Sequence, residues 1–296
     1  MRRLLLVLAA GLLALPAAAQ QVPIVQAGAE GRFERQIDAK SKVEGFSQAQ
    51  VAAFRAAIAP VIEQLAAMPG VNNPPAPICH RLGSWVQLVN PDGVLGAEIS
   101  MLTPISFENG RCHRMTAGGL QIWVNRPNGG LDPSHSTVRS PQDGGSSWYV
   151  LPIRPARDPR LVEYQFNGDD YTIFTRGRPL LRPVTMERYL RHQAQALPKA
   201  PENWAAKLAA LAPAQRGQPA CLGARWAFEP NGACDPARTL VEVDPAYFDR
   251  SRPADVQLLI LTTPSHRYHG ESDAELAVRT AVLKALDRAA LAARVR

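Results

Sequence analysis

The chain lacks the short signatures by which many enzymes are recognised. It contains no H-E-x-x-H, G-x-S-x-G, S-x-x-K, G-x-x-x-x-G-K-[ST] or G-x-G-x-x-G, so zinc-protease, α/β-hydrolase, P-loop and dinucleotide-binding chemistries have no local support. Aromatic residues make up only 6% of the 296 residues, and lysines number five against 28 arginines. A nucleic-acid surface needs stacking aromatics among its cations, so that class of partner is excluded. With 20% charged residues and no biased tract, disordered, collagen-like and coiled-coil classes are excluded as well. No apolar run approaches the roughly 18–20 residues that a membrane span requires.

What is present begins with an export signal. Arg2 and Arg3 precede an apolar stretch from Leu4 to Leu15, Pro16 breaks it, and Ala17-Ala18-Ala19 offers a cleavage site before Gln20. Removing residues 1–19 takes two arginines away and lowers the formal charge from +7 to +5. That excess argues only weakly for a polyanionic partner. The expected location is periplasmic or secreted, with no transmembrane span after cleavage.

Cys79, Cys112, Cys221 and Cys234 all follow the signal. In an oxidising compartment an even number reads as two disulfides. Proximity in sequence favours Cys79–Cys112 and Cys221–Cys234, although three pairings are open. Cys79-His80-Arg81 and Cys112-His113-Arg114 repeat one tripeptide, which invites a zinc reading. Neighbouring strand residues point to opposite faces, so disulfides are favoured and no metal is expected.

The organisation reads as α+β: an antiparallel β-rich middle flanked by an N-terminal helix and a helix-rich C-terminal part. Residues 20–77 are a loosely held lead-in and a helix from Ser47, capped by Gln50, with Val51, Phe54, Ile58, Val61, Ile62 and Leu65 at helical spacing. Pro60 lies inside this pattern, and Pro69-Gly70 ends it. Residues 78–184 form the β-rich region. It includes paired candidates Trp85–Val89 and Leu120–Val124, a long loop over 126–147, and a hairpin turning at Asn167-Gly168. Residues 185–296 carry a helix capped by Thr185, a second over Glu202–Ala212 stopped by Pro213, strands at Thr239–Val243 and Val256–Thr262, and a last helix from Ser272 to about Ala293. The two regions are expected to pack as one unit.

Three groups are candidates for function. His266, His269, Glu271 and Asp273 cluster between a strand end and a helix start, where they suit acid–base or metal-assisted hydrolysis. Glu271, Ser272 and Asp273 are equally what a helix N-terminus prefers. Arg154, Arg157, Arg160, Arg176, Arg178 and Arg182 gather around the hairpin and suit an anion held by bidentate hydrogen bonds. Asp158, Glu163, Asp169 and Asp170 are interleaved and neutralise part of that charge. Trp85, Trp123 and Trp148 offer a carbohydrate-stacking platform or, more commonly for such residues, core packing. Ser146 and Ser147 follow Gly144-Gly145 but have no base placed by the sequence.

Several phrases carry a resemblance: Asn73-Pro74-Pro75, Trp123-Val124-Asn125, Arg178-Pro179-Leu180, Pro183-Val184-Thr185-Met186-Glu187-Arg188-Tyr189-Leu190, and Asp244-Pro245-Ala246-Tyr247-Phe248-Asp249 followed by Gln257-Leu258-Leu259. Together they resemble a loose group of exported bacterial proteins without an assigned activity. The resemblance implies an exported globular protein and brings no site residues. The expectation is therefore an exported binding or envelope accessory protein without a cofactor, whose partner is an anionic ligand or another envelope protein. The alternatives are a hydrolase centred on His266 and His269, and a partner-binding module of the envelope using an exposed aromatic strand face.

Overall fold

The computed structural model describes residues 25–26, 32–37, 43–75, 79–87, 93–108, 111–114, 119–131, 147–150, 153–154, 160–166, 168–222, 238–267, 271 and 273–296. The expected signal segment, Arg157, Cys234, Ser146, His269 and Ser272 lie outside these residues. Helices and mainly antiparallel sheets make the chain α+β.

Helix α1 (Gln48–Ala66) forms where the sequence predicts it. The Ser47 hydroxyl accepts from the Gln50 backbone at 3.2 Å, and the Gln50 side chain accepts from the Ser47 backbone at 2.8 Å. This reciprocal cap satisfies two amides that would otherwise be orphaned. The helix continues through Pro60 and buries all six of the anticipated apolar residues. A short helix α2 (Pro69–Asn72) follows. Its Gly70 lies so close to Val282 that a Cβ would come within 2.7 Å of that side chain.

The expected loose lead-in is corrected in part, because β1 (Val25–Gln26) and β2 (Arg32–Ile37) are strands. They join a ten-stranded sheet with β3 (Cys79–Gln87), β4 (Gly96–Glu108), β5 (Arg111–Arg114), β6 (Leu120–Val124), β8 (Ile153–Arg154), β9 (Leu161–Phe166), β10 (Asp169–Thr175) and β13 (Leu258–Pro264). Strand β13 comes from the C-terminal part and lies between β6 and β10, antiparallel to both. The middle and C-terminal regions therefore share one sheet. Strand β2 runs parallel to β3.

The hairpin of β9 and β10 turns where Asn167-Gly168 predicts, with Gly168 at φ +84°. Only glycine takes that conformation cheaply, and a Cβ there would also meet the His266 ring at 2.6 Å. A second sheet holds β7 (Trp148–Val150), β12 (Leu240–Val243) and β11 (Leu181–Pro183), with β12 central.

Three apolar clusters place the layers. The first unites α1, α2, α7 (Asp273–Ala285) and α8 (Arg288–Ala292) with one face of the large sheet, including Ile99, Ile122, Leu259 and Leu261. The second lies between the sheets and includes Tyr149, Tyr164, Tyr171, Ile173, Val241, Val243 and Ile260. The third joins the outer face of the small sheet, through Trp148 and Leu240, to α4 (Met186–Ala196) and α5 (Trp204–Ala209). The order is helices, large sheet, small sheet, helices. Strand β13 is covered on both faces, so Leu258-Leu259-Ile260-Leu261 reads as an unbroken apolar run rather than an alternating one.

Other expectations are corrected. Pro213 does not stop a helix but starts α6 (Pro213–Arg216), since a first-turn proline gives up no hydrogen bond. The last helix is two, because Asp287 caps α8 afresh by accepting from the Ala290 amide at 2.9 Å. Within 126–147, Pro127–Gly130 form the short helix α3. Strands β3 and β6 do not pair with each other; they flank β4 on opposite edges.

Candidate functional site

The register of β4 also decides the first cysteine pair. Cys79 stands opposite Ile105 on one edge of β4, and Cys112 opposite Phe107 on the other. Two strand spacings separate their Cα atoms by about 10 Å, further than a disulfide spans. The pairing favoured by sequence proximity therefore does not fit this register. Cys221 is disulfide-bonded.

The cluster at the end of β13 is built as an anchor. Glu271 and Arg279 form a buried two-pronged ion pair, Nε to Oε1 and Nη2 to Oε2, both at 2.8 Å. Arg279 also donates to the backbone carbonyls of Pro264 and His266, the latter at 3.0 Å. One arginine on α7 thereby ties Pro264, His266 and Glu271 together. His266 is exposed, and its Nδ1 lies 2.9 Å from the Gly168 carbonyl oxygen. Asp273 is also exposed and pairs with Arg267. Among the described residues no group of three or more His, Cys, Asp or Glu side chains is placed to hold a metal.

Residues around Asn125, Arg176 and Gln257, dispersed in sequence, meet in space. Asn125 is buried at φ +51° just beyond β6. Its amide donates to the carbonyls of Leu95 and Asp255 and its oxygen accepts from the backbone of Gln257 and Leu258, at 2.7–3.0 Å. Gln257, also buried, donates to the carbonyls of Asp249 and Arg252 and accepts from Asp249 N and Arg176 Nη1. The Tyr247 hydroxyl donates to the Gln257 carbonyl at 2.7 Å and accepts from Arg176 N at 3.2 Å. Burial pushes the Tyr247 phenol up to about 12. Each side-chain amide uses both its donor and its acceptor, which makes this joint between loop and sheet costly to open.

From that joint an arginine ladder runs along the small sheet. Arg182 of β11 stands opposite Glu242 of β12, which stands opposite Trp148 of β7. The buried Glu242 carboxylate accepts from Arg182 at 2.7 Å, from Trp148 Nε1 at 3.1 Å, and from Arg188 in the first turn of α4. Asp244 lies 3.5 Å from Arg178 and 4.0 Å from Arg182. The order is therefore Arg188, Glu242, Arg182, Asp244, Arg178, with cations at both ends. Arg176 and Arg178 also lie over the Tyr247 ring, at 5.6 and 5.9 Å. Arg178 and Arg182 keep 40% and 47% of their side-chain surface exposed, whereas Glu242 keeps 1%.

Of the anticipated arginine group, the structure thus joins Arg176, Arg178 and Arg182. Sequence reasoning missed Arg188 and Glu242 as their companions. Glu242 was visible as the lone acid within Leu-Val-Glu-Val. Trp148 is buried and bonded to Glu242, so it is core and no stacking platform. No family model, no curated protein and no solved structure matches the chain.

Proposed function

We propose that the chain is an exported, periplasmic or secreted protein that acts by binding, and that the arginine ladder is its contact for an anionic ligand. The observation that carries this reading is the asymmetry of the ladder. Its central carboxylate, Glu242, is buried, Asp244 is mostly covered, and the Arg178 and Arg182 side chains reach solvent. Guanidinium groups held in fixed orientations by carboxylates and an aromatic ring are preorganised for carboxylate or phosphate oxygens. The rival hydrolytic reading has less support, because Glu271 is committed to Arg279 and Asp273 to Arg267.

Inorganic phosphate titrated into the mature protein, followed by NMR shifts of the arginine Nε–H groups, tests the ligand class. Saturable shifts at Arg178 and Arg182, weakened about tenfold in Arg178→Gln and Arg182→Gln and unchanged in Arg267→Gln, support it. Shifts that are equal in all variants, or absent at millimolar phosphate, remove the ladder from the reading. Export is tested by the intact mass of protein recovered from the periplasm, which should begin at Gln20.

A further inference from the structure

The inner face of the large sheet changes character from one side to the other. Over β13, β10 and β9 it carries Ile260, Ile173, Tyr171 and Tyr164, buried against the small sheet. On that same face the register aligns Glu98 of β4 with Trp123 of β6 and Ile260 of β13. One row along, Ser100 aligns with Gln121 and Thr262. The intervening residues Ala97, Ile99, Met101, Leu120, Ile122 and Val124 all pack into the helix-side cluster. Strand alternation therefore puts the polar set on the opposite face.

Arg126, two residues past β6, folds back across this set. It lies along Gly96, where a Cβ would come within 2.6 Å of the Arg126 Cγ, so glycine is what admits it. Its guanidinium sits 4.9 Å from the centre of the Trp123 ring. Its Nη1 is 3.9 Å from Glu98 Oε2, close enough to attract and too far to hydrogen-bond. The other Glu98 oxygen accepts from the Ser100 hydroxyl at 3.2 Å.

Two buried polar atoms on this face, Arg126 Nη1 and Thr262 Oγ1, have no hydrogen-bond partner. Native proteins seldom leave such atoms unsatisfied, and a partner from outside the fold reaches these two when the side chains that cover them move aside. The Arg126 and Glu98 side chains keep 23% and 19% of their surface exposed, so a small group can reach them. Burial holds the Arg126 guanidinium below its ordinary pKa, with Glu98 offsetting part of the effect.

We propose that Trp123, Arg126 and Glu98 form a carbohydrate site, separate from the arginine ladder. A sugar hydroxyl placed between Arg126 and Glu98 accepts a hydrogen bond from the guanidinium and donates one to the carboxylate. A simple anion is repelled by Glu98, and a simple cation by Arg126. A neutral group that both donates and accepts satisfies the pair, and a pyranose carries several such groups beside C–H bonds that suit the indole of Trp123. Thr262 and Gln121 lie one row away, positioned for a second hydroxyl.

The test applies the mature protein to an array of neutral, N-acetylated and uronic saccharides, followed by calorimetry with any saccharide captured. The expected result is a bound saccharide whose affinity falls about tenfold or more in Glu98→Gln and in Arg126→Met. Because Arg126→Met risks misfolding, Thr262→Val is measured beside it. That variant removes one hydroxyl, and it should weaken binding severalfold at an unchanged melting temperature. Arg182→Gln, on the ladder, should bind as the parent does. Capture of no saccharide by the folded parent overturns the proposal, and so does affinity left intact in Glu98→Gln. Phosphate binding at the ladder is unaffected by either result.

Discussion

The Arg279–Glu271 pair and the Arg182–Glu242–Arg188 group use the same two side-chain types for different duties. In the first, cation and anion are both buried, and every nitrogen of the guanidinium donates to the carboxylate or to a backbone carbonyl. In the second only the acid is buried, and the arginines that neutralise it lie partly in solvent. Burial of both partners makes an anchor. Burial of the anion alone leaves oriented cations at the surface. The chemistry is shared, and the depth of the arginine decides whether it can meet a ligand.

Removing one partner from the anchor should produce the largest effect. Arg279→Met leaves Glu271 charged, buried and alone, at an expected cost of about 3–5 kcal/mol in urea denaturation. The double variant Arg279→Met/Glu271→Leu should recover much of that loss, since two apolar side chains need no counter-charge. A double variant as unstable as the single one would show that the carbonyl contacts of Arg279, rather than its ion pair, hold the segment.

The ladder should yield less. Glu242→Gln keeps the shape and weakens three hydrogen bonds, for an expected loss of about 2–3 kcal/mol. Its effect should shrink at high salt, because Arg182 and Arg188 lie partly in water. Salt-independent destabilisation would place Glu242 with the anchor instead.

A third contrast is set by pH. Among the described residues the cluster on the helix side of the large sheet contains no tyrosine, while those on its other side enclose Tyr164, Tyr247 and Tyr189. Burial raises all three phenols, Tyr189 and Tyr247 to about 12. A raised pKa means that the unfolded chain loses its proton first, so this contribution is complete below pH 10 and declines as pH rises toward 12. At pH 10.5 the loss should reach about 1–2 kcal/mol in sum, after discounting Tyr189 for solvent screening. Hydrogen exchange at pH 9 and 10.5 should show it first in the small sheet. Earlier loosening of α1 and α7 would contradict the layer assignment.

The smallest effects belong to arginines that lie about half in solvent. Arg182→Gln should cost below about 1 kcal/mol, and Arg267→Gln should leave the melting temperature unchanged, because Asp273 is 91% exposed. A marked loss in Arg267→Gln would give the Asp273 end of the cluster a role beyond the surface.

Legibility followed the range of the interactions. Helix α1 was readable because its cap and its apolar stripe lie within twenty residues, and the β9–β10 hairpin because Asn-Gly signals the turn that it makes. The role of Arg279 was readable in principle: position 279 falls on the stripe of Leu276, Leu283 and Leu286, where an arginine must find a buried partner. Its partner Glu271 was instead taken as a helix-start residue. Strand β4 was passed over, although Ala97-Glu98-Ile99-Ser100-Met101 alternates cleanly. With β4 unseen, Cys79 and Cys112 looked like neighbours, when a whole strand separates them.

By itself the sequence determined the α+β class, the helix starts at Ser47 and Thr185, and the hairpin turn at Gly168, because caps, periodicity and turn chemistry act between residues a few positions apart. Only the tertiary structure decided that β13 enters the sheet between β6 and β10, that Asn125 meets Gln257, and that Arg126 stops just short of Glu98. Those outcomes depend on which segments find each other across stretches that run from tens of residues to well over a hundred. No local preference encodes that choice; it is made when both faces of β13 are buried at once.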